Sequence, residues 1–495
     1  MATDRRTFLR LSAIGAGAFF LPRGVYAGQE DEHVTSRLKM QQQYETSAPT
    51  FNMSGYRAPK IPVVRVGFLG LGDRGGGAVI RFTYLEGVEI KALNDKREAA
   101  VKGSQEALKE AGLPPADEYY GREDSWKAVC ERDDIDLIYI CSNWATHTPM
   151  ALYAMEHGKH VAVEVPAAVT LDEAWQLVEM SEKTKKHCMM LENCCYDFFE
   201  LLTLNMARQG YFGELVHAEG AYIHCLMELN FNKPEDNKQY DAGYTDMWRL
   251  KQNTRNGNLY PTHGLGPVCQ IMNINRGDKM DYLTSMSSAD FGMAKKADEL
   301  AEKDNFYKEF AGKAYRGNMN TSLVKTSKGR TIMIQHDVTS VRPYSRIHMV
   351  MGQDAMARKW PYPAKISEGH HWVDEDRMKE LEEKYTYDFV KKIGDMARKV
   401  GGHGGMDFLM DWRLVDCLRN GLPVDQDVYD AALWSSISPL SEWSVANRSN
   451  SVDVPDFTRG NWINNPPVDL NEMGKDVTGV RDVSKADSDK QLDVH

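Results

Sequence analysis

The sequence predicts an α/β protein of two unlike parts, and three observations carry that expectation. From residue 63 to 195, short β-branched runs alternate with helix-compatible stretches of roughly 10–15 residues, the rhythm of right-handed βαβ units around a parallel sheet. The first of these runs is followed at once by a glycine-rich turn, "GLGDRG". After Tyr196 the rhythm changes to runs separated by turn signals, which is the pattern of an antiparallel sheet in an α+β unit.

Each element follows in order. "VVRVGFLGLGDRGGGAVIRF" reads as a strand, a glycine turn and a helix, and "VEIKALND" as a second strand before the helix of "EAAVKGSQEALKEAG". "DLIYICSN" is a buried strand leading to a helix through "MALYAMEHG". "KHVAVEVP", the helix "LDEAWQLVEMSEKTKK" and the strand "HCMMLEN" complete a Rossmann-sized unit over residues 63–195. In the second part, residues 196–451, a helix through "FELLTLNMARQG" precedes the strand-like "GELVHAEGAYIH". "YLTSMSSADFG", "TSLVKTSKGRTIMIQHDVTS" and "SRIHMVMGQD" supply further strands. The charged helices of "DEDRMKELEEKYTYDFVKKIGDMARKV" read as solvated. Residues 28–62 read as a polar surface arm, and 452–495 as a tail rich in Pro, Asn, Asp and Gly.

The chain has 495 residues, enough for two or three domains, with 42% apolar and 26% charged residues. Its formal charge of −11, without a basic block, argues against nucleic acid or an anionic membrane as partner. The N-terminus, "TDRRTFLRLSAIGAGAFFLPRGVYAG", reads as a twin-arginine export signal: Arg5 and Arg6 precede an apolar run too short to span a bilayer. Removal of residues 1–27, which hold four arginines and one aspartate, takes the charge to −14. That signal predicts a periplasmic or extracellular protein, free of the membrane once the signal is removed. The eight cysteines show no C-x-x-C or zinc spacing, so buried free thiols and no metal site are expected.

"GLGDRG" places Gly70, Gly72 and Gly75 directly after a strand and at a helix start, and Asp95 follows Gly75 by twenty residues. The glycines permit a tight turn and close approach of backbone to a pyrophosphate at a helix N-terminus. Asp95 suits a ribose 2′-hydroxyl and repels a 2′-phosphate, so NAD is expected over NADP. In "NLYPTHGLGP", Pro261 reads as the first helical residue, with Tyr260 at the N-cap and His263 one turn on. A helix N-terminus there disfavours an imidazolium, and Gly264 and Gly266 leave room beside sugar or cofactor.

With "GLGDRG", "SNWATHTPMA" and "HVAVEVPAA", the chain resembles the Gfo/Idh/MocA oxidoreductases, which implies a C-terminal domain with an open, mainly antiparallel sheet. Those dehydrogenases carry Glu-Lys-Pro where this chain has Glu164-Val165-Pro166, and valine cannot transfer a proton. "NWATH", "EVPAAVT", "ENCCY", "EGAYIH", "DMWR" and "GNLYPTHGLGPV", in that order, resemble glycoside hydrolase family 109, the NAD-dependent α-N-acetylgalactosaminidases. The resemblance implies NAD contacts by Arg74, Asp95, Trp144, His147, Glu164 and Asn193. It implies sugar contacts by Tyr222, Arg249, Tyr260 and Tyr344, with Tyr260 and His263 moving the catalytic protons in an order left open.

The implied chemistry differs from the usual pair of carboxylates. Transient oxidation at sugar C3 acidifies the C2 proton, the C1 aglycone leaves by elimination, water adds, and C3 is reduced again. NAD held tightly and recycled each turnover suits an exported enzyme. Two other readings stay open on sequence alone: a sugar dehydrogenase of the same superfamily, and a non-catalytic NAD- and sugar-binding protein. The arm at 28–60 and the tail are the segments that could reach a neighbouring subunit in a homo-oligomer.

Overall fold

A computed structural model describes residues 48–233, 247–475 and 478–487. The export signal and residues 28–47 of the arm lie outside the described residues. No described helix is long and apolar enough to cross a membrane.

The first sheet comprises β1 (Val64–Leu69), β2 (Val88–Asn94), β3 (Asp117–Tyr119), β4 (Leu137–Ile140), β5 (His160–Val163) and β6 (Cys188–Met190), in the spatial order β3-β2-β1-β4-β5-β6. All its pairings are parallel. Helices cover both faces, so β4, β5 and β6 are apolar and buried along their whole length. The order reverses between β1 and β4, the position where ligands bind outside the carboxyl ends of such strands. Of these elements, β3 and the short helix Ser125–Cys130 are absent from the sequence reading, being three and six residues long.

The second sheet has nine strands: β7 (Leu215–Ile223), β8 (Met280–Ser287), β9 (Asn320–Thr326), β10 (Thr331–Asp337), β11 (Met349–Gly352), β12 (Met356–Arg358), β13 (Lys365–Glu368), β14 (His371–Trp372) and β15 (Val452–Asp453). Their order is β14-β13-β12-β11-β7-β10-β9-β8-β15, and only β7 with β10 is parallel. The sheet is therefore open and mainly antiparallel, as expected. Strand β9 alternates buried and more exposed positions because one face alone is covered.

Two long helices, Met406–Asn420 and Val428–Ala446, lock the parts together. The first packs on the Asp73–Thr83 helix and β1, and the second on β8 and the Leu171–Thr184 helix. Arg81 of the first part donates to Asp411 of the second (2.7 Å), and Asp411 also accepts from the Tyr139 hydroxyl (2.7 Å). The arm and tail are more firmly docked than a surface segment. Met53 and Ala58 are buried, Met53 N–H donates to the Tyr429 hydroxyl, and Phe457 and Leu470 of the tail enter the core. The tail also contributes β15 to the sheet.

Candidate active site

The helix Thr262–Ile271 lies almost in contact with β7, and glycines make that possible. A Cβ on Gly264 would fall 2.2 Å from Ala221 N, and one on Gly220 would fall 2.3 Å from Gly264 O. A Cβ on Gly266 would meet Glu192 Cγ at 2.9 Å. Gly220 and Gly264 thus serve helix–strand packing, and Gly266 makes room for Glu192 and Trp434. That packing brings Tyr222 on β7 beside Tyr260 and His263. The ring centroids of Tyr222 lie 4.8 Å from Tyr260 and 5.2 Å from His263.

The cleft that results is walled on one side by Gly70, Gly72, Arg74, Asp95, Trp144 and Glu164, and on the other by Tyr222, Arg249, Tyr260 and His263. Asn193 and His147 reach the same cleft, and so does Val165, the residue that replaces lysine.

The glycine turn fits a dinucleotide. Gly70 has φ +85°, and a Cβ on it would lie 2.7 Å from Cys141 O. A Cβ on Gly75 would lie 1.9 Å from Gly70 O, so only glycine lets this helix start so close to the strand. The Asp73–Thr83 helix has no side-chain N-cap, and its first turn lines the cleft, leaving amide donors for a pyrophosphate. Asp95 accepts from Leu71 N–H (2.8 Å) and is paired with the Arg97 guanidinium (3.1 Å). The Arg97 charge is thereby neutralised beside the ribose position, in line with NAD over NADP.

The other expected cofactor residues divide into lining and bracing groups. Trp144 stacks on Tyr260 at 5.7 Å and sits beneath the Arg249 guanidinium at 5.8 Å. Arg74 donates to Glu164 (2.8 Å) and Asp407 (2.8 Å), and Asn193 donates to Asp407 (2.6 Å). His147 is buried between two carbonyls, Pro166 O at 2.8 Å from Nδ1 and Ser142 O at 2.9 Å from Nε2. Burial pushes its pKa below the usual value. A neutral imidazole donates to one of those carbonyls at a time, so His147 braces the turns after β4 and β5.

One sequence expectation changes. Leu265 N–H donates to Pro261 O (3.0 Å), so Pro261 is the N-cap and Tyr260 precedes it by one residue. The shift follows from hydrogen bonding: the carbonyl of Pro261 already accepts the first intrahelical bond. Tyr344 stands one ring behind Tyr222, at 6.2 Å, on the wall of a neighbouring groove.

Tyr260 and His263 face each other edge to face at 4.8 Å. Burial, with Tyr222, Glu164 and Glu192 nearby, pushes the Tyr260 phenol well above its usual value, against the pull of Arg249. The hydroxyl hydrogen-bonds to no described residue. His263 Nδ1 meets Glu192 Oε1 at 2.8 Å and Oε2 at 3.0 Å. With Nδ1–H donating to the carboxylate, Nε2 carries the lone pair and makes no bond to any described residue.

Glu192 is the principal residue missing from the sequence reading. It is fully buried, which pushes its carboxyl up, yet His263 and the Cys194 N–H hold it below the usual range. Cys194 Sγ completes a triad of atoms with metal-ligand character. Burial keeps that thiol protonated, with its pKa raised well above normal, and the Glu192 oxygens are already used by His263 and Cys194 N–H. Asp407 is the second omission. It joins Arg74, Asn193 and His403, the last at 2.9 Å, and so ties the cofactor side of the cleft to the second part. All eight cysteines are free thiols, and Cys225 alone is exposed.

Comparison with known proteins agrees with this fold. A family model described as oxidoreductase family, NAD-binding Rossmann fold, matches residues 64–192. A second, glycosyl hydrolase 109, C-terminal domain, matches residues 196–464. An alpha-N-acetylgalactosaminidase of Bacteroides fragilis is 51% identical over 411 residues, covering 82% of this chain and 95% of the relative. A glycosyl hydrolase family 109 protein of Porphyromonas gingivalis is 48% identical over 421 residues, covering 82% of this chain and 86% of the relative. Among solved structures, a levoglucosan dehydrogenase in complex with NADH and L-sorbose superposes with a TM-score of 0.58 at 15% identity, over 80% of this chain and all of that one. An oxidoreductase domain protein from Kribbella flavida gives 0.57, also at 15%, over 80% of this chain and all of its own. The solved structures share the fold alone, whereas the two sequence relatives match 82% of the chain at about half identity: this protein belongs to glycoside hydrolase family 109.

Proposed function

We propose that the chain removes terminal α-linked N-acetylgalactosamine from glycans, using NAD that stays bound and is restored each turnover. The observation that carries this reading is the Glu192–His263–Tyr260 arrangement across the cleft from the glycine turn, in a chain whose Val165 cannot take the proton-carrying part of a dehydrogenase lysine.

When bound, NAD supplies a hydride acceptor and, within the same turnover, a hydride donor. The protein supplies position and proton transfer. Gly70, Gly72 and the first turn of the following helix hold the pyrophosphate, and Asp95 holds the adenosine ribose. Trp144 borders the cofactor, and Tyr222 and Arg249 frame the sugar. His263, oriented by Glu192, accepts a proton at Nε2. Tyr260, which keeps its phenolic proton, is the donor of the pair. When water replaces the aglycone, Tyr260 takes a proton from the incoming water and His263 returns the one it accepted to the sugar, so each ends the cycle as it began.

Incubation of the purified protein with an aryl α-N-acetylgalactosaminide, without added NAD, tests the reading. Release of the aryl alcohol with no net build-up of reduced nicotinamide is expected. Stoichiometric accumulation of reduced nicotinamide would instead identify a dehydrogenase.

We also propose export by the twin-arginine route, supported by the Arg5-Arg6 pair ahead of the short apolar run. Replacement of both arginines by lysine should retain the full-length chain in the cytoplasm. Unchanged export of that variant would overturn the proposal.

A further inference from the structure

A second groove opens beside the catalytic cleft, and His403 lines both. A ladder of aromatic rings leads from one to the other. Tyr260 lies 4.8 Å from Tyr222, Tyr222 lies 6.2 Å from Tyr344, Tyr344 lies 6.0 Å from Trp360, and Trp360 lies 5.3 Å from Tyr362. The ladder ends at the surface, where Tyr362 is 63% exposed. Its last two rungs sit in "KWPYP", where Trp360 and Tyr362 alternate with Pro361 and Pro363.

The outer aromatics rest on a built foundation. The Arg346 guanidinium and the Lys359 ammonium lie over the Trp360 ring, at 4.7 and 4.6 Å from its centroid. Both cations are buried and are held by Glu200 at 2.8 Å, with Asp197 as a second shared carboxylate. The foundation spends two cations and two carboxylates on one another, so it presents little net charge to a ligand. A buried charge cluster is costly to assemble, and here it fixes one aromatic ring at the mouth of a groove. Tyr362 stands beside that ring with Pro361 and Pro363 on the same groove wall, so apolar surface is gathered there and not scattered singly.

We propose that Trp360 and Tyr362 form an aglycone subsite. The occupant is the neutral hexose to which the terminal sugar is attached, seated with the C–H face of its ring on the aromatic platform. This rests on the glycosidase reading and adds to it that the substrate is an extended glycan and not a small glycoside. Continuity with the cleft selects the occupant: His403 lines both cleft and groove, so a sugar beyond the scissile bond that leaves the cleft past His403 enters this groove. Aromatic stacking suits a hexose because its axial C–H groups are apolar while its hydroxyls stay at the rim, free to remain in water.

The test compares two substrates of the NAD-loaded protein: an aryl α-N-acetylgalactosaminide, and an oligosaccharide in which the same terminal sugar is linked to neutral hexoses. Tyr362→Ala and Trp360→Ala should each lower the ratio of kcat/KM for the oligosaccharide over the aryl glycoside by about tenfold, mainly through KM. Tyr362→Ala is the safer variant, since the ring it removes is exposed. An unchanged ratio in Tyr362→Ala would overturn the proposal. Calorimetric binding of the neutral oligosaccharide that remains after release separates this proposal from the glycosidase reading. If the aryl glycoside is not cleaved, that reading fails. Saturable binding that Tyr362→Ala abolishes would still support the subsite, and absence of binding to the unsubstituted protein would overturn it.

Discussion

His263 Nδ1 lies 2.8 Å from Glu192 Oε1, across 71 residues of sequence, and this contact decides which face of the imidazole can do chemistry. The carboxylate takes the Nδ1 proton as a hydrogen bond, so Nε2 is left as the acceptor. Tyr260, 4.8 Å away and driven toward its protonated form, complements it. One group able to accept and one able to donate, fixed side by side, is what an elimination followed by an addition requires.

Glu192→Gln should lower kcat by about 10²-fold or more while leaving KM close to its original value. The amide keeps the shape but replaces one acceptor oxygen by an NH2 donor, which loosens the hold on the Nδ1–H tautomer of His263. Steady-state kinetics on the aryl glycoside checks this, and an unchanged kcat would remove Glu192 from the proton-transfer arrangement.

Tyr260→Phe should cost about 10²–10⁴-fold in kcat with little change in melting temperature. The hydroxyl bonds to no described residue, and the phenyl ring can keep its stacking on Trp144. A large loss of stability with retained turnover would show that the residue is structural.

Gly75→Ala should yield protein depleted in NAD. The new Cβ would fall 1.9 Å from Gly70 O, and both atoms belong to the turn that holds the pyrophosphate. Nucleotide released on heat denaturation, quantified by chromatography, gives the content. Full occupancy would contradict the assigned role of this turn.

Asp407→Asn should destabilise the fold by about 3 kcal/mol near neutral pH, because it leaves buried guanidinium groups short of a partner. Burial alone would push the Asp407 carboxyl up, but Arg74, His403 and Arg81 hold it well below the usual carboxylate range. A native pKa below the unfolded value of about 3.9 means that its stabilisation is present above that pH and is lost as pH falls through the native value. The gap between the unsubstituted protein and Asp407→Asn should therefore be wide at pH 7 and narrow in acid. Denaturant melts across that range check the sign, and a gap that widens on acidification would contradict it.

Much of the fold was legible because its signals are local. The alternation of apolar runs and helical stretches marks β1, β2, β4, β5 and β6, and "GLGDRG" marks the cofactor turn. Tyr260 and His263 were legible as a pair because three residues of one turn separate them. Glu192 was not, although it stands in "ENCCY", because its partner comes 71 residues later through the packing of Gly266 against its own side chain. Asp407 lies 333 residues from Arg74. The available signal was a pair of aspartates, Asp407 and Asp411, one helical turn apart in the mostly apolar "MDFLMDWRL", which forces buried cations to meet them. Tyr344 stands one ring behind Tyr222, and that layering of residues 122 positions apart leaves no trace in sequence.

Deuterium at sugar C2 tests the central claim most directly. The protein, loaded with its NAD, is incubated with an aryl α-N-acetylgalactosaminide in deuterated water, and the released sugar is read by NMR. Deuterium at C2 in step with aglycone release is expected, with both lost together in Tyr260→Phe and in Glu192→Gln. Aglycone release with C2 still carrying its original proton would contradict proton transfer at that carbon, and with it the roles given to His263 and Tyr260.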